Sequence, residues 1–301
     1  MARVQRKDRL TAGEVAEVLD LMRAADDADG AYPLSEHVVL HLRAAGDTHA
    51  VHLLARHDGD LVGYAYVDVT DPAEGATAEL AVHPLRRRHG LGRTLMTEVM
   101  AAADKGPLWV WAHGDHPSAS ALSLSLGFER SRVLFQMRRS LSTPVPEPTL
   151  PDGVSIRPFR PGTDDTAWLA LNAAAFADHP EQGRWTIEDL RLRMKEPWFD
   201  PAGFLLAQRD PDGELLGFHW TKIHAGVGEP IGEVYVLGVA PAAHGTGLGT
   251  TLTLAGLHHL GTQGLDHVML YVDESNTKAV RLYEKLGFAR WTAHVCFRRL
   301  G

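Results

Sequence analysis

At 301 residues, 45% of them hydrophobic and 23% charged, the chain has the composition of an ordinary globular protein and the length of about two domains. Its formal net charge of −8 argues against a nucleic-acid binder with a basic surface, and its single cysteine excludes an internal disulfide framework and a cysteine-cluster metal site. Because no apolar run reaches 18 residues and the N-terminus is polar, we expect no membrane span, no signal peptide and a cytoplasmic protein.

The histidines and the cysteine carry no metal-site pattern. The 17 histidines are scattered, without an HExxH motif, so we expect them at the surface or in loops and expect no bound metal. Cys296 lies in an apolar segment near the C-terminus, and we expect it to be a small buried residue of the last strand.

The first half of the chain predicts two capped helices, a hairpin, a third strand and a further helix. Thr11 and Ser35 suit helix N-caps, and Asp58-Gly59 suits a hairpin turn. The predicted elements are the helices 11–29 and 35–42, the strands 51–56, 61–69 and 77–82, and a helix that runs to about residue 103 after a basic, glycine-containing loop.

A proline-rich segment then separates two halves. Four prolines fall within residues 144–151, a composition typical of an extended, semi-rigid linker. We therefore predict domains at 1–141 and 153–301, joined by 142–152. The second half predicts the strand 154–159, the helices 163–177 and 186–195, a hairpin over 204–223, the strand 233–239, a helix after Gly249, the strand 267–272 and the helix 276–286.

The most informative motif is a glycine turn between a strand and a helix. Gly245, Gly247 and Gly249 follow the strand 233–239 and directly precede the next helix. Unpaired N–H groups at a helix start, together with the helix dipole, bind phosphate, and small residues let the anion approach the backbone. The turn lacks the Lys-Ser/Thr of a P-loop and the glycine spacing of a dinucleotide fingerprint. The turn therefore suits a pyrophosphate-bearing ligand other than those bound by P-loops and dinucleotide-binding folds.

The same motif occurs twice. Pro84 stands six residues before Gly90, as Pro241 stands six residues before Gly247, which aligns the halves at an offset of 157. Later, the tripeptides Leu-Gly-Phe at 126–128 and 286–288 align at an offset of 160. The chain is therefore predicted to contain two copies of one unit.

These motifs resemble those of the GCN5-related N-acetyltransferase superfamily. Its acetyl-CoA loop, Gln/Arg-x-x-Gly-x-Gly/Ala, is complete at 87–92, and in the second copy His244 stands at the Gln/Arg position. The run from Asn276 to Phe288 resembles the second signature of that superfamily. The resemblance implies an α/β fold with an α+β mixed sheet, two tandem acetyltransferase domains, and acetyl-CoA as cosubstrate.

The two copies differ where the superfamily does chemistry. The superfamily places a tyrosine beside the CoA sulfur, where it can protonate the leaving thiolate. Tyr283 stands at that position in the second copy and Ser123 in the first. Glu233, at the start of the strand that leads to the loop, is the candidate general base, acting through water, and Ala76 is its counterpart. We expect the second copy to be the catalytic domain and the first copy to be a binding or structural partner.

Over essentially the whole chain, including 176–183 and 269–276, the sequence resembles the mycothiol synthase family. That resemblance implies acetylation of the cysteinyl α-amine of cysteinyl-glucosaminyl-inositol, with acetyl-CoA and no metal. It implies substrate contacts from Glu36, Glu181, Lys222, Glu233 and Tyr271. In the second copy it implies acetyl-CoA contacts from Leu237, Gly238, Val239, His244, Gly245, Thr246, Gly247, Leu248, Gly249, Thr250, Asn276, Thr277, Lys278, Ala279, Val280 and Arg281. In the first copy it implies a second acetyl-CoA site at Leu80, Ala81, Val82, Arg88, His89, Gly90, Leu91, Gly92 and Arg93.

Other interpretations stay open at this point. The acceptor could be another small amine, such as an aminoglycoside, or a peptide N-terminus, and the chain could be a non-catalytic acetyl-CoA-binding protein, against which Tyr283 and Glu233 speak. Glu36 also suits a helix-capping position, Lys222 a strand end, and Tyr271 an apolar core. We expect a monomer that binds neither nucleic acid nor membrane.

Overall fold

The computed structural model describes residues 3–44, 50–70, 75–103, 106–177, 182–225 and 229–300, and the chain divides into two compact units. The first unit contains residues 1–135, 273–275 and 292–301, and the second contains 136–272 and 276–291. The predicted division into 1–141 and 153–301 is linear, whereas the compact units take in short segments from each other's half of the sequence. The end of the chain therefore belongs to the first unit.

The first unit is a mostly antiparallel sheet with helices. Its elements are β1 (Arg3–Lys7), α1 (Ala12–Asp29), α2 (Glu36–Ala44), β2 (Ala50–His57), β3 (Asp60–Asp68), β4 (Ala76–Val82), α3 (Leu91–Ala102), β5 (Leu108–Ala112), α4 (Pro117–Ser125) and the first part of β6 (Glu129–Ser140). The strand order is β1-β2-β3-β4-β5, and residues 295–299 of the last strand, β12 (Ala289–Arg299), pair antiparallel with β5. Only β4 and β5 run parallel within this order.

Local sequence signals explain the helix ends in this unit. Thr11 and Glu14 form a capping box at the start of α1, and Gly30 ends the helix in the left-handed conformation, φ 67°. The Ser35 hydroxyl accepts a hydrogen bond from Val38 N at 3.4 Å at the start of α2. The predicted caps and the Asp58-Gly59 hairpin are confirmed.

The second unit repeats the arrangement. Its elements are β7 (Val154–Pro158), α5 (Asp165–Ala175), α6 (Ile187–Met194), β8 (Phe204–Arg209), β9 (Leu215–His224), β10 (Ile231–Val239), α7 (Leu248–Thr262), β11 (His267–Asp273) and α8 (Thr277–Lys285). The strand order is β11-β10-β9-β8-β7, with residues 136–140 of β6 beside β11. β10 and β11 pair parallel, and the mixed sheet predicted from the sequence is confirmed.

Matching glycines bring a helix close to the sheet in each unit. A Cβ at Gly63 would lie 2.9 Å from Leu95 of α3, and a Cβ at Gly217 would lie 2.8 Å from Leu252 of α7. Both distances are shorter than a normal carbon contact, so each glycine is needed for close packing of the helix that follows the glycine turn. The internal repeat therefore extends from the motifs to the packing.

The proline-rich segment is extended but lies against the second unit. The Thr251 hydroxyl donates to the Thr149 carbonyl at 2.6 Å, and His258 Nε2 donates to the Pro146 carbonyl at 3.0 Å. Both side chains belong to α7. The segment is therefore anchored along that helix and does not act as a free spacer.

The expectation that all histidines lie at the surface or in loops is wrong. His52, His219 and His294 are buried, and His219 is completely inaccessible. His219 Nδ1 donates to the Leu252 carbonyl at 2.7 Å, and α7 packs so closely that a Cβ at Gly256 would overlap the imidazole. In sequence, the apolar residues Phe218 and Trp220 on both sides of His219 were a signal of a strand that is buried on both faces, which would bury the histidine too.

Burial of His219 predicts that the protein loses stability in mild acid. Burial lowers the pKa of His219 to about 4, whereas a histidine in the unfolded chain titrates near 6.5. As the pH falls, the unfolded state binds the proton first, so the contribution is complete above pH 6.5 and is lost towards pH 4. The loss is at most about 3 kcal/mol.

Urea unfolding followed by tryptophan fluorescence at pH 7, 5.5 and 4 measures this effect. We expect the wild-type protein to lose more stability over that range than His219→Met, which fills a similar volume without a titrating group. Because other buried histidines contribute equally to both proteins, the difference isolates His219. Equal losses in the two proteins would contradict the prediction.

No helix among the described residues has both the length and the apolar character required to cross a membrane.

Candidate functional site

The site of the second unit begins where two parallel strands separate. β10 pairs with β11 from Gly232 to Val234, whereas its pairing with β9 continues to Val239. A β-bulge between Val234 and Val236 bends β10 at the point of separation, and bulges commonly mark such sites. Beyond Val234, the described pairing leaves one edge of β10 open to an extended ligand. Leu237, Gly238 and Val239 lie on that edge.

The glycine turn follows the open edge. Gly245 and Gly247 have φ values of 82° and 86°, in the left-handed region, and Gly247 is the N-cap of α7. A Cβ at either position would meet no atom within 4 Å, so the space in front of the turn is open. His244, Gly245, Thr246 and Gly247 are exposed, and the N–H groups of Leu248, Gly249 and Thr250 lie in the first helical turn. The turn fits the pyrophosphate end of a CoA molecule.

The first unit keeps the same turn. Gly90 is the N-cap of α3 with φ 82°, and Arg88 has φ 66° at the position of Gly245. A left-handed non-glycine residue costs about 1 kcal/mol or more, so the rest of the turn enforces this shape. His89 is exposed, Leu91 is buried at the first helical position, and Arg93 donates to the Ser125 hydroxyl at 2.7 Å. The open strand edge is also repeated, because β4 pairs with β5 only as far as Glu79, before Leu80, Ala81 and Val82.

His244 makes the contact that arginine makes in the first copy. Arg87 Nε donates to the Val82 carbonyl at 3.1 Å, and His244 Nε2 donates to the Val239 carbonyl at 3.1 Å. Either side chain therefore forms a hydrogen bond between the turn and the end of its strand. Histidine in place of arginine at position 244 preserves this hydrogen bond.

Three of the predicted substrate residues share one face of the second sheet. Lys222 and Glu233 are directly opposite each other on β9 and β10, and Glu233 is opposite Met269 on β11. Tyr271 lies two residues beyond Met269 and therefore on the same face. The structure thus brings Lys222, Glu233 and Tyr271 together next to the strand separation.

The environments of these three side chains differ. Glu233 is 5% exposed and Lys222 is 8% exposed, whereas Tyr271 is 36% exposed. Lys222 Nζ lies 4.7 Å from the centre of the Trp198 ring and 5.1 Å from that of Tyr235, within cation–π range. Because Tyr271 is exposed, the alternative that it belongs to the apolar core is wrong. Its hydroxyl accepts a hydrogen bond from Gln136 Nε2 at 2.8 Å.

The remaining predicted substrate residues are Glu36 and Glu181. Glu36 is in the first unit, where it is half-buried as the first residue of α2. Glu181 lies outside the described residues.

Tyr283 is buried in α8 and packs against Phe288, with ring centres 5.8 Å apart. Burial raises the pKa of its phenol to about 12, so the hydroxyl keeps its proton throughout the neutral range. A phenol in this state donates a hydrogen bond and does not act as a base. This is the state required beside a departing thiolate.

The end of α8 supports the alignment of the two copies. Phe288 N donates to the Tyr283 carbonyl at 3.0 Å, and Phe128 N donates to the Ser123 carbonyl at 3.1 Å. Ser123 is therefore the structural counterpart of Tyr283. Asn276 caps α8 through Ala279 N; Val280 is buried, while Thr277, Lys278 and Arg281 are exposed at the same helix start.

Sequence reasoning missed two groups of ionisable side chains. The first is His224, whose Nε2 lies 2.6 Å from Glu233 Oε2. Its position two residues after Lys222 in a strand, on the same face, was an available signal.

The second missed group is in the first unit. Glu79 accepts from Ser35 N at 2.5 Å and lies 3.4 Å from His113 Nε2, and His113 Nδ1 lies 2.5 Å from His294 Nδ1. Burial opposes ionisation of Glu79, but His113 and Ser35 outweigh it and hold the pKa of the carboxyl below its usual value. Burial, and then the charge of His113, lower the pKa of His294 to about 3. No local signal in the sequence connects residues this far apart.

Comparisons with known proteins agree with this geometry. A model of the acetyltransferase (GNAT) family matches residues 17–128 and again 168–288. The chain is 64% identical to the mycothiol acetyltransferase of Salinispora arenicola, over 99% of this chain and 97% of the relative. It is 52% identical to that of Streptosporangium roseum, over 99% of each chain.

Solved structures show the same tandem fold. A tandem GNAT protein from the clavulanic acid biosynthesis pathway superimposes with a TM-score of 0.77 at 22% identity, over 100% of this chain and 98% of that one. A GCN5-related N-acetyltransferase from Sphaerobacter thermophilus gives a TM-score of 0.70 at 25% identity, over 99% and 95%. The tandem arrangement predicted from the internal repeat is confirmed.

Proposed function

The chain belongs to the acetyltransferase (GNAT) family, and from this premise we propose that it acetylates the cysteinyl α-amine of cysteinyl-glucosaminyl-inositol to give mycothiol. It is an N-acetyltransferase, and its family uses acetyl-CoA as cosubstrate. The observation that carries the choice of acceptor is 64% identity, over nearly the full length of both chains, to a mycothiol acetyltransferase.

The chemistry of the acceptor suits the groups present. An amine must attack in its neutral form, and an α-amine with a pKa of about 7.7–8.0 is already partly neutral at cytoplasmic pH. A lysine-type amine, with a pKa near 10.4, would require about 4 kcal/mol at pH 7.4 to lose its proton. For an α-amine, orientation therefore matters more than a strong base.

Acetyl-CoA, when bound, supplies the thioester and its acetyl group. In our proposal the first turn of α7 holds the pyrophosphate, and the open edge at Leu237, Gly238 and Val239 holds the pantetheine and offers backbone N–H groups to the thioester carbonyl. Glu233 takes the proton of the amine, directly or through water. Lys222, Tyr271, Glu36 and Glu181 bind the hydroxyl-rich acceptor.

We assign Tyr283 to hydrogen bonding of the departing thiolate. Complete transfer of a proton from a phenol of pKa about 12 to a thiolate of pKa about 8.5 is uphill by about 5 kcal/mol, so a hydrogen bond is the favoured role. This refines the expectation that the tyrosine fully protonates the sulfur. The proposal uses no metal.

We further propose that the first unit binds a second acetyl-CoA without catalysis. Its turn at Arg88 to Arg93 and its open edge at Leu80 to Val82 support binding, and Ser123 in place of a tyrosine argues against turnover. Because its donor is an intracellular metabolite, we place the protein in the cytoplasm, and we expect a monomer.

The test follows CoA thiol release from acetyl-CoA with three acceptors: cysteinyl-glucosaminyl-inositol, its precursor without cysteine, and a short peptide with a free N-terminus. Fast release with the first alone is expected. Equal release with the peptide would overturn the acceptor, and no release with any amine would overturn the enzyme assignment for this site.

The glycine turn predicts a selective effect on the donor. Gly249→Ala adds a methyl group that meets only Val239 Cγ2, at 3.7 Å, so the fold accepts it, but the methyl group lies in the first helical turn, where phosphate approaches the backbone. We expect the KM for acetyl-CoA to rise about tenfold, with little change in Tm. Gly261→Ala, in the same helix with no atom within 4 Å of its Cβ, is the matched control and should leave KM unchanged. Equal KM values for the two variants would contradict the placement of the phosphate.

A further inference from the structure

A histidine stands beside the buried carboxylate of the second unit. His224 is the last residue of β9, and Glu233 is the third residue of the neighbouring β10. His224 and Lys222 lie on the same face of β9 as Glu233, and His224 Nε2 is 2.6 Å from Glu233 Oε2. A carboxylate accepts, so the imidazole donates through Nε2.

The two partners are unequally exposed. The Glu233 side chain is 7% exposed, and that of His224 is 37% exposed. A buried carboxylate that has lost water needs a donor in its place, and the imidazole supplies one while keeping contact with solvent. The contact therefore joins a shielded group to an accessible one.

Other charged and titratable groups near Glu233 have different placements. Among the described residues, Lys222 faces it from β9 with its ammonium over Trp198 and Tyr235, and Tyr271 faces it from β11. Arg193 of α6 donates to the Tyr235 hydroxyl at 2.7 Å. The imidazole of His224, in contrast, makes a hydrogen bond of 2.6 Å to Glu233 Oε2.

We propose that His224 is the positioning residue for Glu233: its Nε2–H engages Oε2, fixes the orientation of the carboxylate, and leaves Oε1 for the proton of the acceptor amine. The inference rests on the proposed function. In each turnover the ammonium loses one proton to Glu233, and the neutral nitrogen attacks the thioester carbonyl. The C–N bond forms, the C–S bond breaks and CoA leaves as its thiolate. The second proton of the nitrogen passes to solvent, and Glu233 returns its own proton to solvent. His224 does not touch the acceptor.

The test compares His224→Leu, which removes the donor, with His224→Gln, whose amide can still donate. A hydrogen bond to a charged group corresponds to about 10- to 100-fold in rate, so we expect kcat to fall by that factor in His224→Leu. His224→Gln should recover most of kcat, and the KM for acetyl-CoA should stay unchanged in both.

A double-mutant cycle separates positioning from an independent role. In a Glu233→Gln background, His224→Leu should have little further effect on kcat. His267→Leu, an exposed histidine of β11, is the control and should behave as wild type. An unchanged kcat in His224→Leu, or an equal loss of kcat in His224→Leu and His224→Gln, would overturn the proposal.

An acceptor-independent measurement keeps this result distinct from failure of the proposed function. If the wild-type protein does not acetylate the cysteinyl acceptor, the proposed function fails. The contact is then tested by Tm: His224→Leu should lower Tm in the wild-type background and much less in Glu233→Gln. Equal Tm shifts in the two backgrounds would overturn the inferred pairing.

Discussion

Replacing Glu233 with glutamine is expected to lower kcat/KM for the acceptor about 10²- to 10⁴-fold, the usual contribution of a general base. The side chain keeps its size and its place opposite Lys222, but it no longer takes a proton. The loss should shrink as the pH rises above about 8, because solvent then deprotonates the α-amine. Initial rates between pH 6 and 9.5 measure both effects.

A glutamate outside the site provides the control for this variant. Glu229 is exposed just before β10, so Glu229→Gln makes the same chemical change on the same approach to the strand. It should leave the pH–rate profile unchanged. A Glu233→Gln protein with the wild-type profile would remove Glu233 from the role of base and leave it as a substrate contact.

Tyr283→Phe is expected to lower kcat about 10- to 100-fold, the value of one hydrogen bond to a charged group. Because burial raises the pKa of the phenol to about 12, the hydroxyl does not ionise below that pH. The wild-type kcat should therefore show no fall caused by Tyr283 up to about pH 10. Rapid-mixing measurements of CoA release give the chemical step directly.

Ser123 offers the matched control because it occupies the equivalent place in the first unit. Ser123→Ala should leave the kinetics unchanged if transfer occurs only in the second unit. A basic limb near pH 8.5 that disappears in Tyr283→Phe would contradict the hydrogen-bonding role, since it would indicate a phenol acidic enough to transfer its proton to the thiolate.

Much of the fold follows from local sequence signals. The N-cap residues Thr11 and Ser35, and glycines that adopt a left-handed backbone, predicted helix ends close to the observed ones. The offsets of 157 and 160 between the repeated motifs predicted the tandem organisation, because each copy needs the same residues at its glycine turn and at its Leu-Gly-Phe helix end. The strand β1 was missed, since a polar edge strand has little apolar alternation.

The site was only partly predictable for a physical reason. Residues inside a motif, such as Gly247 and Tyr283, have a fixed spacing to their neighbours and can be recognised from the sequence alone. His224 contacts Glu233 because their strands pair, and His113 connects Glu79 to His294 across the sheet of the first unit. Such contacts depend on register, which the sequence specifies only through the whole fold.

The C-terminal residues of the chain complete the first unit. Val295 and Phe297 of β12 are buried in the same apolar cluster as Leu95 of α3 and Val110 of β5. During synthesis, the half of the protein that emerges first from the ribosome must therefore wait for the half that emerges last before its sheet can close. A chain that ended a few residues early would therefore lose packing in the first unit, which is synthesised first. The glycine turn and the strands that carry the proposed chemistry, which lie in the second unit, would already have been synthesised.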